Sequence, residues 1–115
     1  MARYISAMTV SFPISQLQQL LIHILEQCRL DIIHCTNDYI IGREHPGKVT
    51  YNKLVFVEIF ISQSLDRGNE INLRVVVKNE ELPLQADNHC YEVFNTINET
   101  FLSNREWQFI EQVIS

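Results

Sequence analysis

The chain has 115 residues, 46% hydrophobic and 20% charged, which suits one folded domain and excludes a disordered or low-complexity chain. Three glycines, three prolines and three cysteines exclude a flexible linker and a disulfide framework. The net charge is −5, and residues 79–115 carry one Lys or Arg against seven Asp and Glu, so a general nucleic-acid binder, which needs clustered cations, is not expected.

Tyr4–Phe12 alternates in the manner of a strand, and Phe12-Pro13 ends it. Pro13–Arg29 reads as an amphipathic helix, with Leu17, Leu20, Leu21, Ile24, Leu25 and Cys28 on one face. Ser15 and Gln18 have the spacing of a capping box at its start. Ile32–Cys35 and Tyr39–Glu44 are short β-like runs around the turn Thr36-Asn37-Asp38. A second turn, His45–Lys48, leads to a long strand over Val49–Ser64.

Asp66-Arg67-Gly68 suits a three-residue hairpin loop with glycine in the left-handed place. That loop sets Leu65 opposite Asn69. Ile61 then faces Leu73, Ile59 faces Val75 and Val57 faces Val77, one apolar face with Glu70–Glu80 as the return strand. A slip by one residue would mix apolar with polar residues. Glu80–Pro83 ends the strand, and Asp87 or Asn88 caps the next helix. Cys90, Phe94, Ile97 and Phe101 form its apolar stripe. Ser103 and Glu106 again have capping-box spacing, which predicts a third short helix or a bent continuation carrying Trp107, Phe109, Ile110, Val113 and Ile114.

These elements predict a single α+β domain over residues 1–115. Its two layers are a curved antiparallel β-meander and helices packed on one face, in strand–helix–strands–helix order. The second face of the hairpin then carries the candidate site. There Phe60 faces Arg74, Glu58 faces Val76 and Phe56 faces Lys78. Aromatics beside cations on an uncovered sheet suit a docking surface, most simply for a second copy of the chain. Trp107 and Ile110 form a second candidate contact, although docking of this apolar segment on its own domain is the simpler expectation.

Chemistry-bearing motifs are sparse. Glu58 stands inside an apolar strand, where a charge also breaks an aggregation-prone run. His34-Cys35 and His89-Cys90 present zinc-type ligands, but adjacent residues diverge on a strand or a helix, so no metal site is expected. No phosphate-binding glycine loop and no hydrolase or zinc-protease motif is present. The longest uninterrupted apolar run, Leu54–Val57, is far short of the ~20 residues of a membrane span. Met1–Ser6 lacks an apolar signal core, and free thiols suit a reducing cytoplasm.

The sequence therefore predicts a cytoplasmic, non-enzymatic domain that binds protein without cofactor or metal. It is expected to act as a homodimer, with a heterologous protein as a possible further partner and no nucleic-acid or membrane contact. The alternative is a carrier or sensor of a small apolar ligand, held in a cavity between helix and curved sheet.

Overall fold

A computed structural model describes residues 1–47, 49–63, 68–80 and 88–114. Six strands and two helices follow in the order β1 (Ala2–Ser11), α1 (Ile14–Gln27), β2 (Leu30–Cys35), β3 (Tyr39–Glu44), β4 (Phe56–Gln63), β5 (Glu70–Asn79), α2 (His89–Ser103) and β6 (Gln108–Ile114). The strands form one sheet in the order β2-β3-β4-β5-β1-β6, antiparallel throughout. The sheet is curved and unclosed, and both helices pack against it, so the α+β architecture expected from the sequence is the one observed.

Pro13 holds φ −62° and ψ 123°, the extended geometry that turns β1 into α1. The Ser15–Gln18 capping box does not form, because no side chain caps this helix. Gln18 reaches outward instead, donating to Cys35 Sγ at 2.9 Å and to the Thr36 carbonyl at 3.3 Å. Leu17, Leu20, Leu21, Ile24 and Leu25 are buried, the apolar face expected of this helix. Arg29 takes a left-handed φ of 65° past its end, with its N–H bonded to the Glu26 carbonyl at 3.0 Å.

The β4–β5 register is the predicted one: Val57 pairs with Val77, Ile59 with Val75 and Ile61 with Leu73. Gly68 holds φ 63°, as the hairpin requires, while Ser64–Arg67 lie outside the described residues. The predicted strand over Val49–Ser64 begins only at Phe56. Tyr51–Lys53 forms a 3₁₀ turn, where the Thr50 hydroxyl bonds Asn52 Oδ1 at 2.7 Å and competes with extended pairing.

Asn88 caps α2, accepting from the Tyr91 N–H at 3.1 Å, while Asp87 and Glu81–Pro83 lie outside the described residues. Cys90, Phe94, Ile97 and Phe101 form the buried stripe of α2.

The third helix is not formed. Residues 108–114 are strand β6, paired with β1 through Ser6↔Ile114, Ala7↔Val113 and Thr9↔Glu111. Two observations explain the difference. Asn104 Oδ1 accepts from the Glu106 N–H at 3.0 Å, so an asparagine turn replaces the Ser103–Glu106 box. Trp107 then inserts into the core at 6% exposure and donates its indole N–H to the Phe101 carbonyl at 3.1 Å. Beyond that anchor, β-branched Val113 and Ile114 pair along the side of β1 that β5 leaves unpaired.

Candidate functional site on the open sheet face

The pairing registers sort the paired strand residues onto two faces. Val57, Ile59, Leu73, Val75, Met8 and Val10 point toward the helices and are buried. Among the described residues the opposite face carries no helix, and it reads in rows across the sheet. One row runs Asp31, Arg43, Phe56, Lys78, Arg3. The next runs His34, Ile41, Glu58, Val76, Ile5. A third runs Tyr39, Phe60, Arg74, Ala7, Val113.

Phe56, Glu58, Phe60, Arg74 and Lys78 share this face in the predicted cross-strand pairs. They are not equally available. Lys78 Nζ lies 2.7 Å from Glu58 Oε1, and the Tyr39 hydroxyl donates to Glu58 Oε2 at 2.5 Å. Tyr39 also packs on Phe60, ring centroids 4.9 Å apart. Phe56 is half-buried, whereas Phe60 is 42% exposed and Arg74 is exposed.

The charges at Glu58 are fixed by this network. Burial alone would raise its carboxyl, but hydrogen bonds from Lys78 and Tyr39, with the charges of Lys78 and Arg3, hold it below the usual carboxylate range. The hydrogen bond to Glu58 pushes Tyr39 up to about 12, with burial and the Glu58 charge adding to it. At neutral pH the carboxylate is ionised and the phenol protonated. Neither group is poised to exchange a proton there, so the trio acts as a cross-strand clamp.

A pH dependence follows. The lowered Glu58 pKa stabilises the fold above its ordinary value of 4.5, and that contribution is lost as pH falls through the lower folded value. The raised Tyr39 pKa stabilises the fold below 10, and that contribution is lost as pH rises through about 12. Thermal unfolding followed by circular dichroism should give a shallower acid limb for Glu58→Gln and a shallower alkaline limb for Tyr39→Phe. Limbs as steep as those of the unsubstituted chain would remove the clamp from the account.

The second candidate contact divides. Trp107 is used inside the domain, its ring tilted 33° to that of Phe101 with centroids 5.5 Å apart. Ile110 sits where the β1–β6 register shifts and remains 46% exposed. Three further residues on the open face were hidden in the sequence by the helical reading of the last segment. Ala7 and Glu111 are exposed, and Val113 is 56% exposed. With Phe60, Ser62, Asn72 and Arg74 they line a groove of about 420 Å³.

Elsewhere, His89 Nε2 lies 2.7 Å from Glu44 Oε2, joining the start of α2 to the end of β3. Among the described residues no three His, Cys, Asp or Glu side chains gather in a metal-binding group, and no helix is long and apolar enough to cross a membrane. Cys28, Cys35 and Cys90 are free thiols. In comparisons with known proteins, no family model matches the chain and no curated protein matches it.

Proposed function

We propose that this chain is a protein-binding domain, not an enzyme, that works by self-association through the open face of its sheet. The observation that carries this reading is the row Phe60–Arg74–Ala7–Val113, in which all four residues are exposed on adjacent strands beside one groove. A single exposed aromatic needs no explanation, but exposed apolar side chains set around an arginine across four adjacent strands suit a contact surface, where aromatics and Arg are enriched.

Two observations support docking over the alternatives. The ionisable groups that meet on this face are locked in opposite charge states, which disfavours proton-transfer chemistry. The interface between helices and sheet, where a carrier would hold an apolar ligand, is occupied by Leu17, Leu21, Ile24, Ile97 and Phe101, each at most 1% exposed. Free thiols suit work in a reducing compartment. A heterologous protein would use the same row.

Light scattering over a concentration series tests this. The expected mass at high concentration is twice the 13.5 kDa of one chain, and Phe56→Ala combined with Phe60→Ala should return it to one chain. A mass that stays at one chain throughout, or a double variant that dimerises like the parent, would overturn the reading.

A further inference from the structure

We infer that the groove between β5, β1 and β6 docks onto the same groove of a second copy, about a two-fold axis running along β1, with Arg74 of each copy meeting Glu111 of the other. The inference rests on the self-association proposed above and names its contact. A two-fold interface must carry both halves of every contact on one surface, since residue i meeting j requires j to meet i. This groove does so: Arg74 on β5 and Glu111 on β6 line it together.

The sheet order places these two strands on either side of β1. Rotation about an axis along β1 therefore lays β5 of one copy over β6 of the other, and the reverse. Arg74 is in register with Ala7, and Glu111 with Thr9, one row along. That offset is about 7 Å, within reach of an arginine side chain. Neither residue has an ion-pair partner among the described residues, whereas Lys78 and Glu58 on the same face already hold each other. Arg74 and Glu111, the two charged residues that line the groove, are therefore complementary and available to each other across the axis.

The apolar residues fit the same axis. Ala7 lies on it, and a methyl side chain lets the two β1 strands approach. Phe60 stands one strand beyond β5, so it overhangs the outer edge of the second copy's β6. Ile110, 46% exposed, lies on that edge.

The test is a charge exchange read by sedimentation equilibrium. Arg74→Glu sets like charges against each other at both contacts, and so does Glu111→Arg. Each alone should raise the dimer dissociation constant about tenfold or more. An equimolar mixture of the two variants should recover a heterodimer, because opposite charges then meet at both contacts. If the parent chain dimerises but either variant dimerises equally well, or the mixture stays monomeric, the Arg74–Glu111 contact is overturned while self-association stands. If the parent chain is monomeric at every concentration, self-association itself fails. Should a charge reversal unfold the chain, Arg74→Gln and Glu111→Gln replace it. Both must then weaken the dimer, and unchanged association of either overturns the contact.

Discussion

Trp107→Ala is expected to destabilise the fold by about 3–5 kcal/mol, the usual cost of emptying a large aromatic site in a core. Trp107 is the last buried residue before β6, and it packs on fully buried Phe101. It also satisfies the Phe101 carbonyl, near the end of α2, through its indole N–H. Its loss leaves a void and removes the shorter of the two hydrogen bonds to that carbonyl, the other coming from the Asn104 N–H at 3.4 Å. The damage should spread along the chain, because among the described residues β6 has β1 as its sole strand neighbour and its Ile110, Val113 and Ile114 side chains are exposed. Urea unfolding should show the full loss, and amide exchange should speed first at the β6 residues paired with Ser6–Ser11. A variant that loses less than about 1 kcal/mol would mean that Trp107 is a peripheral contact, not the anchor of the strand.

The two open-face phenylalanines should separate by readout. Phe60 is 42% exposed, and its main internal contact is the Tyr39 ring. Phe60→Ala should therefore cost about 1 kcal/mol of stability, the order of one aromatic pair, and weaken self-association about a hundredfold, the scale of an interface anchor. Phe56 is half-buried between Arg43 and Lys78 in its cross-strand row. Phe56→Ala should act chiefly on stability and little on association. Light scattering and thermal melts on the two single variants distinguish these effects. Equal effects on association would shift the contact surface toward the Arg43–Phe56–Lys78 row.

The fold was legible wherever a pattern was local or paired across one turn. Gly68 and the alternation of Val57–Ile61 with Leu73–Val77 determine the β4–β5 register without further information. The stripes of α1 and α2 follow from helical spacing in the same way. Residues 108–114 were not legible, because Ile110 and Ile114 lie four apart and satisfy helical and strand patterns alike in so short a segment. The strand is decided by what waits for it, namely the unpaired side of β1, which only the assembled sheet reveals.

The candidate site divides along the same line. Phe56, Glu58, Phe60, Arg74 and Lys78 were found because one hairpin brings them together. Tyr39 was missed as the partner of Glu58, since the 3₁₀ turn between β3 and β4 leaves their register open in the sequence. Ala7, Glu111 and Val113 were missed because they join the site only through β6. The groove that supports the functional reading is thus a product of the longest-range pairing in the chain, that of the first strand with the last.

The most direct measurement is methyl-resolved NMR of the whole chain over a dilution series. Self-association through the open face predicts that the Ala7, Ile110 and Val113 methyl signals shift together with concentration, while those of Val57, Ile59 and Val75, beneath the helices, stay fixed. Methyl signals that do not move with concentration, or that move only at the opposite sheet edge around Ile33, would contradict it.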